Sequence, residues 1–399
     1  MNTPYFQIRA GHPDFLDLPW DQSITEWEHE RLVDLPTGIH RHEIVFVTYP
    51  SGIYAIKELP GGLARHEWES LRRLEQLRAP VVSPVGFVER PWVDRSWESA
   101  GAIITRYADY SFSYQELLSG AAFGPRRGQM LDAFAGLLVE LHRAGCFWGD
   151  CSLANVLYRW DAGAVEVLMV DAETCELHEN VSDGQRKHDL QIMTTNVAGG
   201  MANIAASQGV EVEDADLLLG DDIIERYESL WAELGQEILI GPDERYRIAE
   251  RVDRLNDLGF EVEDVEMTPE GDGQRLRLKA LVGGRNYHTS RLRELTQIQA
   301  SENQARQVLS DLYHHAAGKG MTSPTGKTVA AIQWRVGVFE PMLAKIAELE
   351  ENTIEPLQAF CDFLHHRYKL SSEAGRDIGD TEAFDLWVSA GRPGFDLDG

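Results

Sequence analysis

Residues 43–49, Glu-Ile-Val-Phe-Val-Thr-Tyr, are rich in β-branched and aromatic types and predict a strand. Pro50-Ser51-Gly52 reads as a turn. Residues 53–59 predict a second strand, so the two form a hairpin. After Pro60-Gly61-Gly62 the period lengthens. Trp68, Leu71, Leu74 and Leu77 fall on adjoining helical faces and predict a helix over 63–77. Apolar stretches at 81–88 and 102–105 predict further strands. The first hundred residues therefore read as a sheet with one helix inserted.

Beyond that the pattern is mostly helical. Met130, Phe134, Leu137, Leu138 and Leu141 recur at helical spacing and stop at Gly145. Two short strands are expected at 156–158 and 165–170. Helices are expected from about Lys187 and over 221–257, and then two strands, 260–267 and 275–282, around a turn at 269–273. The remainder predicts helices over 287–317, 329–349 and 354–368, with Trp334, Phe339, Phe360 and Phe363 as core. A length of 399 residues fits two domains. We place the boundary near Ile240-Gly241-Pro242, giving residues 1–240, with lobes at about 25–108 and 109–240, and an appended domain over 241–399.

The formal net charge of −28 repels phosphate backbones and argues against a nucleic-acid partner. Cys146, Cys151, Cys175 and Cys361 make no CxxC pair and read as reduced thiols. No signal-peptide pattern and no apolar run of bilayer length is present, so a cytoplasmic location without a transmembrane segment is the expectation.

In Gly145-Cys-Phe-Trp-Gly-Asp150-Cys-Ser-Leu-Ala-Asn155, an Asp stands five positions before an Asn, between an amphipathic helix and an apolar strand. Sixteen positions later, Met169-Val-Asp171-Ala-Glu173 ends a strand in two carboxylates. Upstream, Ala55-Ile-Lys57 lies on the second strand of the hairpin. Glu67 on the next helix is its expected partner, and Glu69 the alternative. Each residue alone is commonplace: an isolated Asp-x4-Asn is usually a turn or a cap, and a strand Lys is usually solvated. Together, in this order, they supply what phosphoryl transfer needs. Asp150 is placed to accept a hydroxyl proton and Lys57 to hold phosphates. Asn155 and Asp171, with Glu173 as a further candidate, offer the hard oxygen ligands that magnesium takes.

The order Lys57, Glu67, Asp150, Asn155, Asp171 resembles the protein-kinase superfamily. Asp171-Ala-Glu173 is closer to the Asp-x-Glu of small-molecule kinases of the aminoglycoside and choline type than to Asp-Phe-Gly. Phe147-Trp-Gly-Asp-Cys-Ser-Leu-Ala-Asn155, Val170-Asp-Ala-Glu-Thr174, residues 251–260 and Glu302-Asn-Gln-Ala-Arg306 resemble a bacterial family of unknown function described as similar to lipopolysaccharide kinases. That resemblance implies an α+β fold: a two-lobed kinase-like domain followed by a mainly helical α+β domain. It also implies ATP and magnesium as cofactors, with Ala55, Lys57 and Glu67 at the nucleotide. The implied acceptor is a small-molecule, sugar or glycolipid hydroxyl, with a protein Ser/Thr still open. The rival is a nucleotide-binding scaffold whose C-terminal domain holds a protein partner.

Two departures stand out. Trp148 replaces the usual His or Tyr, at a position we read as architectural. Residues 36–47 hold a single glycine where a multi-glycine loop would fold over phosphates, with His40, Arg41 and His42 as substitutes to weigh. Asp189 stands where kinases place a helix Asp that buttresses the catalytic loop. His288, Arg291 and Arg293 are weighed as an anion site, and His314-His315 and His365-His366 as metal ligands. A solvated helix residue is weighed equally for Asp189, and exposed helix faces and caps are the preferred reading for the C-terminal candidates.

Overall fold

The computed structural model describes residues 3–35, 41–117, 124–209, 211, 214–241, 243–270, 275–349 and 354–395. Gly38, His40, Pro242 and residues 271–273 of the expected turn lie outside them. The chain divides into two compact units, Met1–Tyr158 with Val167–Leu230, and Arg159–Glu166 with Trp231–Gly399.

The first unit opens on a six-stranded antiparallel sheet, ordered β1-β5-β6-β4-β3-β2. Its strands are β1 (Tyr5–Ile8), β2 (Leu32–Val33), β3 (Ile44–Tyr49), β4 (Gly52–Leu59), β5 (Pro84–Glu89) and β6 (Gly101–Arg106). The expected hairpin is β3–β4, and the expected helix is α1 (Gly61–Gln76), which buries Glu67, Trp68, Leu71 and Leu74. The sheet starts earlier than the pattern suggested. Tyr5–Ile8 pairs with β5, and Phe15, Leu18, Trp20, Ile24 and Trp27 pack against Val47, Tyr54 and Ile56. A buried Arg90–Glu58 ion pair pins this segment. Arg90 Nε donates to the Trp20 carbonyl (2.8 Å), and Glu58 accepts from Ser23 Oγ (2.7 Å) and Ile24 N (3.1 Å).

Helical structure follows: α2 (Tyr114–Leu117), α3 (Gly124–Arg143), α4 (Asp183–Gln208), α5 (Asp214–Leu217) and α6 (Leu219–Gly235). Between α3 and α4 run the short strands β7 (Cys146–Phe147), β8 (Val156–Asp161), β9 (Ala164–Met169) and β10 (Glu176–Leu177), paired β8–β9 and β7–β10. Gly145 turns the chain out of α3 at φ +83°, where a Cβ would stand 2.1 Å from the His178 carbonyl oxygen.

The second unit contains the strands β11 (Ile238–Ile240), β12 (Phe260–Glu270) and β13 (Arg275–Arg285), ordered β11-β13-β12, with α7 (Tyr246–Asp257) beside them. The helices α8 (Tyr287–Thr296), α9 (Glu302–Gly318), α10 (Pro324–Trp334), α11 (Glu340–Ala347), α12 (Pro356–Ala374) and α13 (Asp380–Ser389) enclose one apolar core. Trp334, Phe339, Phe360 and Phe363 all lie in it. All four cysteines are free and buried. Among the described residues no helix is long and apolar enough to cross a membrane. The fold is α+β, with a six-stranded sheet in its N-terminal part and a mostly helical C-terminal region.

Candidate active site

In the first unit a cavity of about 320 Å³ is lined by Ile44, Phe46, Ala55, Val82, Ile103, Thr105 and Leu157, and by Lys57, Glu67, Asn155 and Asp171. Its volume is at the lower end of the roughly 300–1,000 Å³ range of ligand pockets. Apolar side chains make much of the wall; Lys57, Glu67 and Asp171 form one ion-pair cluster in it, and Arg106 and Glu116 also line the cavity.

Lys57 and Glu67 meet because β4 and α1 bring them together across ten residues. The ammonium lies 2.8 Å from the Glu67 carboxylate and 3.2 Å from Asp171. Glu69 is exposed, so Glu67 is the partner. Burial alone would lower the Lys57 pKa, but Glu67 and Asp171 hold the ammonium above its ordinary value. Burial pushes Glu67 up to about 7 against the pull of Lys57.

Asp150 lies on the loop between β7 and β8. Gly149, at φ +79°, turns the chain just before it. Asn155 donates its amide to the Asp150 carbonyl (3.1 Å) and carboxylate (3.2 Å), so the amide oxygen takes no part in those bonds. Val170 N donates to the Asn155 carbonyl (3.0 Å), which sets Asp171 beside Asn155. The two offer an amide oxygen and a carboxylate, the hard donor set that suits magnesium.

Asp189, fully buried near the start of α4, buttresses this loop. Its carboxylate accepts from Trp148 N (2.7 Å), Gly149 N (2.8 Å) and His142 Nε2 (3.1 Å), and His142 Nδ1 meets the Tyr227 hydroxyl (2.9 Å). Trp148 is buried and its indole donates to the Asp171 carbonyl (3.2 Å), an architectural role for the departure at this position.

Glu173 is engaged elsewhere. His42 Nε2 lies 2.8 Å from its carboxylate, His42 Nδ1 lies 2.6 Å from Glu98, and Arg41 stands 3.8 Å from Glu173. The hydrogen bond from His42 holds the Glu173 carboxyl below its usual range, against the effect of burial. His42 thus ties the segment that follows residues 36–40 to the Asp171-Ala-Glu173 motif. His42, a candidate phosphate contact from the sequence, is buried on the Glu98 and Glu173 carboxylates instead. Asn196, which no sequence pattern singles out, donates its amide to Asp150 Oδ1 (3.0 Å) and to the Cys151 carbonyl (3.1 Å). The one available signal was its position seven residues beyond Asp189, two turns along the same helix.

The C-terminal candidates resolve differently. The start of α8 is filled by Glu302, which accepts from His288 N (2.8 Å), His288 Nδ1 (2.7 Å), Thr289 N (3.0 Å) and Thr289 Oγ1 (2.9 Å). Arg291 pairs with Glu294 at 2.6 Å. These contacts lie within α8 and between α8 and α9, and the His288 side chain is largely buried where the sequence predicts an exposed helix face or cap.

Residues 52–212 match the lipopolysaccharide kinase (Kdo/WaaP) family, and residues 229–390 match a domain of unknown function, DUF4032. No curated protein matches significantly. Among solved structures the chain is similar to WaaP in complex with acyl carrier protein, at 16% identity over 57% of this chain and 88% of that one, with a TM-score of 0.35. It is also similar to the PknI kinase domain of Mycobacterium tuberculosis, at 16% identity over 49% of this chain and 94% of that one, with a TM-score of 0.28. Residues 52–212 are thus similar to the lipopolysaccharide kinase (Kdo/WaaP) family, and residues 229–390 to a domain of unknown function.

Proposed function

We propose that the protein is an ATP- and magnesium-dependent phosphotransferase acting on a hydroxyl of a sugar, glycolipid or small metabolite. The observation that carries this reading is the Lys57 ammonium held between Glu67 and Asp171 in the wall of a mostly apolar cavity that also reaches Asn155. Ala55, Ile44, Phe46 and Leu157 are the surfaces for a base. Lys57, oriented by Glu67, takes phosphate oxygens. Magnesium held by Asn155 and Asp171 would neutralise charge developing on the transferred group. Asp150 accepts the proton as the acceptor oxygen bonds the terminal phosphorus and the bond to the bridging oxygen of the departing diphosphate breaks. Glu173 joins the metal set only by giving up His42.

That tie between His42 and Glu173, with the single glycine of residues 36–47, favours a second reading, a nucleotide-binding scaffold without turnover. Two variants separate the readings. Asp150→Asn keeps the shape and removes the proton acceptor. It should bind an ATP analogue with magnesium nearly as wild type and lose turnover by about a hundredfold or more. Asp171→Asn removes a metal ligand and should weaken magnesium-dependent binding as well. Equal affinity of the wild type in EDTA and in magnesium would count against the metal pair. Metal-dependent binding without transfer to water, to itself or to any sugar or protein acceptor would favour the scaffold.

A further inference from the structure

We infer that Asn196 is the positioning residue of Asp150, fixing its carboxylate for the acceptor hydroxyl; this rests on the phosphotransferase reading. Asp189 and Asn196 are seven positions apart on α4, so at 3.6 residues per turn they share one face. That face holds the loop at two levels. Asp189 takes the backbone amides of Trp148 and Gly149, which fixes where the loop runs. Asn196 reaches the side chain of the next residue as well as the backbone after it, through Asp150 Oδ1 and the Cys151 carbonyl.

The consequence lies in the orientation of the carboxylate. Asp150 Oδ2 is bonded by Asn155 and Oδ1 by Asn196, so the plane of the group is set by two amides from two separate elements. Either bond alone would leave rotation about the Cβ–Cγ bond. Both donors are neutral. A neutral amide aligns the carboxylate without forming an ion pair with it. A tie serving only the loop would need the Cys151 carbonyl and no more.

The test uses the full chain. Asn196→Ala removes the amide, and Asn196→Asp keeps the shape while replacing the donor with a repelling charge. Both should bind an ATP analogue with magnesium within about twofold of wild type and keep the nucleotide KM. Both should lose kcat by about 10–100-fold, the scale expected when a reacting group is misplaced by about an ångström, with Asn196→Asp at least as impaired. Unchanged kcat, or a loss confined to KM, overturns the proposal. Should Asn196→Ala melt too low for kinetics, Asn196→Asp carries the same comparison. A crystal structure of either variant supplies a readout independent of turnover. The Asp150 carboxylate should rotate out of its present plane while Trp148 and Gly149 stay on Asp189, and an unmoved carboxylate overturns the proposal. If the wild type itself transfers nothing, the phosphotransferase reading falls, and the carboxylate position alone decides whether Asn196 orients Asp150.

Discussion

Lys57 faces more negative charge than it can balance, because Glu67 and Asp171 are bonded to it and Glu173 adds to the same field. Glu67 is the member with no route to solvent. Removing the ammonium leaves a buried carboxylate without its cation, and breaking such a pair costs about 3–5 kcal/mol. Lys57→Met should therefore lower the melting temperature as well as abolish nucleotide binding. The double variant Lys57→Met/Glu67→Gln should recover most of the melting temperature and none of the binding, read by thermal melts with and without an ATP analogue. Recovery of both would sink the phosphate role of Lys57. Lys57 and Glu67 were legible in the sequence because a strand and the helix after it bring them together over ten residues. Asn196 was not, since its bond to Asp150 spans 46 residues and leaves no local pattern. His42 was legible as a candidate only. Its bond to Glu173 spans 131 residues.

At the level of elements, periodicity worked where a segment packs on one face and failed where a long-range contact interrupts it. The helical expectation over 221–257 contains Ile238–Ile240, three residues that become a strand because they pair with Leu276–Leu278. The expected helix over 287–317 breaks at Gln297, which sits at φ +62°. That over 329–349 passes through a widened π turn at Arg335–Phe339, just before Pro341, which has no amide hydrogen to donate. The N-terminal residues that cover the sheet, Phe15 to Trp27, have no regular period, so no element was predicted there. The break at Gln297 lets α9 bring Glu302 back to the start of α8. Bonds to His288 and Thr289 hold the Glu302 carboxyl below its ordinary value against the penalty of burial. A depressed carboxyl pKa contributes stability that is present above the unfolded value and lost as pH falls through the folded one. Glu302→Ala should cost about 1–2 kcal/mol at pH 7, as for a lost helix cap. The melting curves of variant and wild type should converge on acidification below about pH 4. A gap that stays constant with pH would show that the ionised carboxylate is not what stabilises α8.

On the scale of the whole chain, a formal charge of −28 coexists with a cavity lined by two cations, Lys57 and Arg106, so local placement sets the chemistry. The two units are not successive segments. The tip of the β8–β9 hairpin, Arg159–Glu166, belongs to the second unit although the strands on either side belong to the first. Its role there is specific. Asp161 accepts from Asn303 N (3.0 Å), Asn303 Nδ2 (2.8 Å) and Gln304 N (2.7 Å) at the start of α9. Ala162 exchanges hydrogen bonds with Gln358 (2.8 and 3.1 Å) and packs in the same core as Leu309, Trp334 and Phe360. The matched domain of unknown function, residues 229–390, contains the receiving side of these contacts and not the tip. A fragment of residues 231–399 would lose the Asp161 bonds to two amides of α9 and both Ala162 bonds to Gln358, which would keep only Gln304 and Asp362. Each lost bond is worth about 1 kcal/mol, and a buried group left unpaired costs about 1–3 kcal/mol, so the total is a large share of a domain's roughly 5–15 kcal/mol stability. The fragment should melt well below the whole chain's second unit or fail to fold, and a peptide of residues 156–169 added in excess should raise its melting temperature. In the full chain, Asp161→Ala should shift the unfolding of this unit in the same direction. A fragment that melts as it does in the whole chain and ignores the peptide would show that the hairpin tip contributes nothing to the C-terminal fold.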